Sequence, residues 1–141
     1  MKKLILIAIL ALVAFAYYFI SAKDSKNSRW YTQAQVIKGK KLFAANCASC
    51  HGLKAEKTVN WRKKLPDGSY PPPALNGTAH AWHHSFAQLM AQINDGGEKY
   101  GGKMPAFRGA LNDDEKKDII SYFQSFWNDK TYNSWKERSK M

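Results

Sequence analysis

The sequence predicts an all-α fold, a small helical domain with long loops. Two stretches carry apolar residues at a spacing close to 3.6, one over residues 81–93 and the other over residues 112–127. No stretch alternates apolar and polar side chains for long enough to form a sheet, and no internal repeat divides the chain. These observations favour one helical domain of ordinary size.

Length and composition set the expected domain organisation. The chain has 141 residues, of which 45% are hydrophobic and 13% aromatic, enough for the core of one domain but not of two. Tyr132 and Trp135 give the otherwise polar C-terminal tail apolar groups that can fold back onto the domain. We predict four segments: a membrane anchor or signal peptide over residues 1–21, a tether over 22–32, the folded domain over 33–128 and the tail over 129–141.

The chain is strongly basic. It contains 22 Lys and Arg against 11 Asp and Glu, which gives a net charge of +11. Such a surface attracts acidic partners. An acidic protein or an anionic membrane fits better than nucleic acid, because the sequence has no zinc-finger, helix-turn-helix or ribonucleoprotein motif. A solvated surface without a partner is the other interpretation.

The N-terminus combines a basic start with an apolar run. Two lysines precede 17 uncharged residues, Leu4 to Ile20, which as a helix would span about 26 Å, near the lower limit for crossing a bilayer. One interpretation is a signal peptide cleaved after Ala14-Phe15-Ala16. The other, which we favour, is an uncleaved anchor, because the run stays apolar past that site. Both interpretations place the rest of the chain outside the cytoplasm.

The first predicted helix of the domain runs from about Gln33 to Ala45. Gly39 interrupts it, and a glycine inside a helix costs about 1 kcal/mol relative to alanine. The glycine therefore indicates the close approach of another helix. The predicted helix face comprises Val36, Ile37, Lys40, Phe43 and Ala44.

A Cys-x-x-Cys-His motif, Cys47 to His51, follows this helix. The spacing is typical of haem c, in which each cysteine sulfur bonds one vinyl group and the histidine becomes an axial ligand of the iron. A redox dithiol or half of a zinc site is the alternative, but the chain has no further cysteine pair. We predict one covalent haem c on Cys47 and Cys50, with His51 on the iron. Since c-type haem is attached outside the cytoplasm, we expect the domain at the periplasmic side of the bacterial inner membrane.

Loops occupy the chain between the motif and the next helix. Residues 54–64 are polar and basic, and Pro66-Asp67-Gly68 ends them with a turn, so they are predicted to form an insertion loop. Three prolines at residues 71–73 fix an extended course, and Leu75-Asn76-Gly77 turns the chain back.

Two further helices are predicted. One covers Ala81 to Ile93 and ends at Asp95-Gly96-Gly97. The other begins at Asn112, which can cap it together with Glu115, and stops near Asn128. The predicted buried stripe of this last helix comprises Ile119, Ile120, Phe123, Phe126 and Trp127.

The second axial ligand must come from the chain after the motif. Met104 lies in a loop that two glycines and Pro105 keep irregular, where its side chain can be aimed without helical constraint, and we predict it as the ligand. Met90 lies on an apolar helix face, where a methionine more often fills the core. Met141 lies at the end of the tail.

The chain also carries a histidine cluster, His80-Ala81-Trp82-His83-His84. Three imidazoles within five residues could bind copper or zinc, or one of them could replace Met104 on the iron. The interpretation we favour is structural. In it, Trp82 packs or donates a hydrogen bond at the haem edge, and one or two histidines contact a propionate or solvent.

In these features the sequence resembles the class I c-type cytochromes over about residues 33–127. Gly39 and Phe43 match the N-terminal helix of that family, in which the glycine lets the C-terminal helix cross closely. Residues 73–77 resemble the family's proline turn, and residues 103–107 resemble its methionine-ligand loop. The other side of the helix crossing is matched by Ile119, Tyr122 and Phe123.

The resemblance implies a small helical domain wrapped around the haem. It also implies that a backbone carbonyl of Pro73, or of a neighbouring proline, accepts a hydrogen bond from Nδ1 of the proximal histidine. Residues 54–70 and the stretch Trp82-His83-His84 are not part of the family's minimal pattern, so contacts to the propionates do not carry over from it. The residues expected to line the haem are Phe43, Pro73, Leu75, Trp82 and Phe107.

The function implied by the resemblance is one-electron transfer between larger redox proteins. The expected partners are acidic redox proteins, such as a membrane oxidase or reductase, oriented by Lys40, Lys41 and Lys103. One alternative is a fixed haem subunit of a membrane redox complex. Another is a haem or histidine-metal site that performs catalysis or sensing.

Overall fold

The structure is a computed structural model that describes residues 9–16, 29–58 and 60–139. The chain divides into two compact units, Met1–Trp30 and Tyr31–Met141. In the first unit, residues 9–16 are helical and exposed. No helix among the described residues is long and apolar enough to span a bilayer. The remainder of the predicted apolar span, residues 4–8 and 17–20, and most of the tether lie outside the described residues.

The described residues of the second unit form five α-helices and two 3-10 turns. Within the described part of the chain there is no strand, and the one isolated bridge joins Tyr70 to Gly102. The all-α expectation is thus confirmed. The helices are α1 Gln33–Asn46, α2 Ala48–His51, α3 Phe86–Asp95, α4 Asp113–Gln124 and α5 Asp129–Ser139, and the 3-10 turns are Ala81–His83 and Glu98–Tyr100.

Helix α4 begins as the sequence predicts. The Asn112 side chain accepts a hydrogen bond from the Glu115 backbone N–H, and the Glu115 side chain accepts one from the Asn112 N–H. Asp113 and Asp114 lie in the first turn, where their negative charge suits the positive end of the helix dipole.

Helix α3 begins later than predicted. Ala81–His83 form a 3-10 turn, and the α-helix starts at Phe86. The reason is local, because Ser85 caps the helix through reciprocal hydrogen bonds with Gln88. The predicted end is confirmed, since Gly96 closes the helix with a positive φ of 76°.

The core lies where α1 crosses α4. A Cβ placed on Gly39 would come within 1.8 Å of the Asp118 carbonyl oxygen, so only glycine allows this approach. Phe43 is fully buried beside it, with its ring centroid 5.2 Å from that of Tyr122. The crossing is the one that the sequence predicts. Ile37, however, is more than half exposed, because the buried face of α1 is narrower than the predicted one.

Helix α4 ends at Gln124, before the predicted stop near Asn128. The next residues follow tight turns, in which the Trp127 N–H donates to the Gln124 carbonyl. This departure from the 3.6 period leaves Trp127 buried, whereas Phe126 is exposed rather than part of the stripe.

Residues 129–139, predicted as a tail, form helix α5. Tyr132 and Trp135 are buried, so the tail folds back through the two residues expected to do so. The Trp135 indole N–H donates to the His84 carbonyl at 2.9 Å, which ties α5 to the segment around the 3-10 turn Ala81–His83.

Candidate haem site

The Cys-x-x-Cys-His motif lies at the junction of α1 and α2. Cys47 ends α1 with a hydrogen bond to the Phe43 carbonyl, and the His51 N–H returns to the Cys47 carbonyl at 2.9 Å. Cys50 is exposed, Cys47 is half-buried, and neither forms a disulfide. One short helical turn therefore holds two thiols and an imidazole, the groups that attach haem c.

The environment of Cys47 disfavours the dithiol alternative. Burial, and then the neighbouring Cys50, raise the pKa of the Cys47 thiol to about 11. A redox dithiol works through a thiolate of lowered pKa, and here the shift is in the opposite direction.

His51 is buried and its ring orientation is fixed. Its Nδ1 lies 2.9 Å from the Pro73 carbonyl oxygen. A carbonyl can only accept, so Nδ1 carries the hydrogen and the lone pair resides on Nε2. Burial lowers the pKa of His51 and so favours the neutral ring. The hydrogen bond to Pro73 raises this pKa, but its effect is smaller. The neutral ring with Nε2 available is the form that binds iron.

The carbonyl that holds His51 belongs to Pro73 itself, which the resemblance left open among neighbouring prolines. The turn that follows, residues 73–77, is held by two hydrogen bonds. The Ala55 carbonyl accepts from the Leu75 N–H at 2.8 Å, and the Trp127 indole N–H donates to the Leu75 carbonyl at 2.7 Å. Ala55 was missed from the sequence, where nothing marks a buried alanine with a positive φ of 56°.

Met104 lies in the irregular loop expected for it. The Gly97 N–H donates to the Met104 carbonyl at 2.9 Å, and a Cβ on Gly96 would lie 2.5 Å from the same oxygen. The glycines that end α3 thus permit the close packing of the methionine loop. Phe107 is joined to the end of α3 as well, through a hydrogen bond to the Ile93 carbonyl.

Gln92 is a second residue that the sequence did not reveal. Its Nε2 lies 2.9 Å from the Gly96 carbonyl and 3.7 Å from the Met104 Sδ, so one amide orients both the end of the helix and the sulfur. Its position four residues before Gly96 is the available signal in the sequence, since such a spacing lets an amide reach the terminal carbonyls.

The other expected lining residues have two kinds of surroundings. Phe43 is fully buried in the helix crossing. Leu75, Trp82 and Phe107 are half-buried, with apolar surface still accessible. Two thiols, a neutral imidazole, a thioether and accessible apolar side chains are the groups that a covalent haem requires, so the residues fit it.

Side chains of the histidine cluster contact a neighbouring aromatic ring and a cation. His80 stacks on Trp61 with ring centroids 3.9 Å apart, and Arg138 approaches His83 at 3.2 Å. Burial, followed by the nearby histidine charges, lowers the pKa of both His80 and His84. In the described ranges no three His, Cys, Asp or Glu side chains are arranged to hold a metal ion. The copper or zinc alternative therefore finds no cluster there.

Comparison with known proteins gives a consistent assignment. A family model described as cytochrome c oxidase, cbb3-type, subunit III matches residues 34–123. A cytochrome c6 from Nostoc sp. is 28% identical over 127 residues, which cover 86% of this chain and 91% of that protein. A cytochrome c6 from Synechocystis sp. is 34% identical over 91 residues, 63% of each chain.

One similar protein is an enzyme. A thiosulfate dehydrogenase from Psychrobacter arcticus is 38% identical over 86 residues, which cover 60% of this chain but 24% of that protein. The likeness therefore covers only a part of the enzyme. No solved structure matches the chain.

Proposed function

This chain belongs to the class I c-type cytochromes, and from that membership we propose that it is a one-electron carrier in which His51 and Met104 bind the iron of its haem. It is an electron-transfer protein with one covalently bound haem c, and its partners are other redox proteins. The axial ligands are supported by the orientation of His51 towards Pro73 and by the hydrogen bond from Gln92 to Met104.

The haem supplies the one-electron couple, and the protein keeps its surroundings constant. His51 is held by Pro73, and the loop of Met104 is held by Gly97 and Gln92. With both His51 and Met104 on the iron, no position would remain for a substrate, and the residues around the haem would rearrange little between the two oxidation states. Methionine ligation and the apolar lining both favour the reduced state and so raise the potential.

The single observation that carries the proposal is the hydrogen bond between His51 Nδ1 and the Pro73 carbonyl oxygen. It places the hydrogen on Nδ1 and leaves the Nε2 lone pair for iron, which supports His51 as the proximal ligand.

The ligand assignment is tested by absorption spectroscopy of the oxidised protein. We expect an iron–sulfur charge-transfer band in the wild type, and its loss in Met104→Ala because the sixth ligand is removed. Met90→Ala is the matched control, since Met90 lies on α3 and should leave the band in place. A wild type without the band, or a band lost in Met90→Ala alone, would show that Met104 is not the ligand.

The partner proposed is an acidic redox protein, such as a membrane oxidase or reductase. The net charge of +11 supports electrostatic steering towards it. Of the lysines expected to guide it, Lys40 and Lys41 are exposed, whereas Lys103 forms an ion pair with Asp67.

A fixed subunit of a redox complex is the second candidate, because the matching family model describes subunit III of a cbb3-type oxidase. Purification in a mild detergent separates the two. A stable complex with other redox subunits favours the fixed subunit, and a monomeric haem protein favours the carrier.

The location proposed is the periplasmic side of the bacterial inner membrane, with residues 1–21 as an uncleaved anchor. Haem c attachment outside the cytoplasm and the apolar run from Leu4 to Ile20 support it. The mass of the mature protein is the test. Retention of the full chain agrees with the anchor, and loss of residues 1–16 would show a cleaved signal peptide.

A further inference from the structure

Building on the electron-carrier function, we propose that residues 60–70 and the 3-10 turn Glu98–Tyr100 together form the docking surface for the acidic redox partner. We call this the insertion surface. It deepens the proposed function by giving the partner a specific place on the domain, different from the Lys40 and Lys41 side of α1.

The chain leading to and from the insertion surface joins the two segments that carry the axial ligands. Before it, the Lys57 N–H donates to the His51 carbonyl at 3.0 Å. At its end, the Tyr70 N–H donates to the Gly101 carbonyl at 2.8 Å, close to Met104 in the chain. The insertion surface therefore lies in the chain between the segment of His51 and a contact with the loop of Met104, which favours a partner that docks beside the haem site.

Residues 60–70 are held in a defined conformation. The turn is closed by a hydrogen bond from the Leu65 N–H to the Ser69 carbonyl, and Asp67 forms an ion pair with Lys103 in the methionine loop. At the other end of the segment, Trp61 stacks on His80 with a 14° angle between the rings. A surface fixed in this way loses little conformational entropy when a partner binds.

The chemistry of the insertion surface is aromatic with a basic rim. Leu65, Tyr70 and Tyr100 are exposed apolar side chains. The Lys64 ammonium lies 5.2 Å from the centroid of the Tyr70 ring, and the Lys99 ammonium lies 5.0 Å from that of Tyr100. Exposed aromatic groups with charges around them are characteristic of protein interfaces.

The positive charge of this surface is available to a partner. Arg62, Lys63 and Lys64 have no ion-pair partner among the residues that the structure describes. Of the two carboxylates in the surface, Asp67 is neutralised by Lys103 and Glu98 is exposed. The three cations outnumber this remaining carboxylate. The surface is therefore complementary to an acidic protein, and each unpaired cation would gain attraction on docking.

The experiment measures electron transfer from the reduced full-length holoprotein in a stopped-flow instrument. Hexacyanoferrate(III), an anionic oxidant, reports the anion-attracting surface, and tris(phenanthroline)cobalt(III), a cationic oxidant, reports intrinsic reactivity. Poly-L-glutamate serves as the acidic protein surface that competes with hexacyanoferrate. Two lysines outside this surface, Lys38 and Lys130, provide a charge-matched control as Lys38→Glu with Lys130→Glu.

We expect Arg62→Glu with Lys64→Glu to slow oxidation by hexacyanoferrate about three- to tenfold at low salt. The control pair should change this rate less than about twofold. The difference should disappear at high salt, because screening removes it. Poly-L-glutamate should slow the wild type and not the Arg62/Lys64 variant, and the cobalt oxidant should react with the variant no more slowly than with the wild type.

Several results would overturn the proposal. Equal losses in the Arg62/Lys64 and control variants would mean that only net charge matters. A larger loss in Lys40→Glu with Lys41→Glu would place docking on α1. Binding of the wild type but not the Arg62/Lys64 variant to phosphatidylglycerol vesicles, with no effect of poly-L-glutamate, would identify a membrane surface. In each case an intact charge-transfer band shows that the ligand assignment stands and that only the docking surface has failed, whereas a missing band rejects the ligand assignment on which the proposed carrier rests.

Discussion

Gln92 shows how a single side chain can stabilise the loop of Met104, the proposed ligand. Its amide donates to the Gly96 carbonyl and to the Met104 sulfur, so it links the end of α3 with the methionine. Neither contact could be inferred from the sequence, because both depend on how the loop returns past the helix end.

Replacing Gln92 with leucine should weaken methionine ligation. The substitution removes two hydrogen bonds and leaves the Gly96 carbonyl without this donor, which should cost about 1–2 kcal/mol. The charge-transfer band should disappear at a lower guanidinium concentration than in the wild type. Gln33→Leu, at an exposed position in α1, should leave the midpoint nearly unchanged. Equal midpoints for Gln92→Leu and the wild type would show that the amide does not support the ligand.

Histidines 80 and 84 should make stability dependent on pH. The pKa of each is lowered in the folded protein, so the unfolded chain binds more protons as pH falls below about 6.5. The free energy of unfolding should therefore be highest above that pH and decrease on acidification towards pH 5.

Thermal unfolding between pH 7.5 and 5 measures this effect above the range in which the carboxylates titrate. His80→Gln with His84→Gln should flatten the dependence. His83→Gln should flatten it less, because burial lowers the pKa of His80 and His84 more than the His83 charge does. A slope that persists in the double variant would assign the acid sensitivity to other groups.

At the scale of the elements, the crossing of α1 and α4 fixes the position of the haem-binding turn. Helix α2 follows α1 after one residue. The packing of α1 on α4 therefore sets the positions of Cys47 and His51. The close approach at Gly39 is therefore relevant to haem binding as well as to stability.

Gly39→Ala should force the crossing apart. The added Cβ would meet the backbone oxygen of Asp118 at 1.8 Å, which cannot move independently of its helix, so we expect a loss of about 3 kcal/mol in the free energy of unfolding. Denaturant unfolding of the holoprotein measures it. Gly109→Ala is the matched control, because no atom lies within 4 Å of the added Cβ. Similar stabilities of the two variants would refute the close-packing role of Gly39.

Helix α5 is the second element whose packing matters for the site. Trp135 is fully buried, and its ring packs against the rings of neighbouring aromatic residues. The ring centroids of Trp135 and Trp127 lie 5.8 Å apart. The Trp127 indole N–H donates to the Leu75 carbonyl in the proline turn, residues 73–77. By packing against Trp127, α5 therefore supports this turn.

Trp135→Ala should destabilise the protein by about 3–5 kcal/mol, as expected for removing a large buried aromatic group. Phe126→Ala should cost much less, since Phe126 is exposed. Thermal unfolding followed by circular dichroism compares the two. A nearly wild-type melting temperature for Trp135→Ala would mean that α5 is dispensable for the fold.

At the scale of the whole domain, the chain divides into a stable frame and a functional surface. Helices α1, α4 and α5 contribute most of the fully buried side chains. The loops between α2 and α3, and between α3 and α4, contribute Pro73, Met104 and the insertion surface. This arrangement places rigid packing behind the haem site and leaves the charged loops available to a partner.

The sequence alone determined the all-α class, the haem motif and the caps of α4, because each depends on residues that are close together in the chain. Gly39 could also be interpreted, since a glycine inside a helix has few reasons other than close packing. The prediction from the 3.6-residue period of the apolar side chains was wrong where tight turns replace the α-helix, at Ala81–His83 and after Gln124. There a cap or a 3-10 hydrogen bond outweighs the apolar pattern.

Only the tertiary structure decided which carbonyl holds His51, that Gln92 reaches Met104, and that residues 67 and 70 contact the loop of Met104. These contacts connect residues that are 12 to 36 positions apart, such as Gln92 with Met104 and Asp67 with Lys103. Their formation depends on how loops pass one another, which local propensities do not encode. The physical reason is that local hydrogen bonds and helix periodicity define the elements, whereas long-range packing decides which loops contact one another.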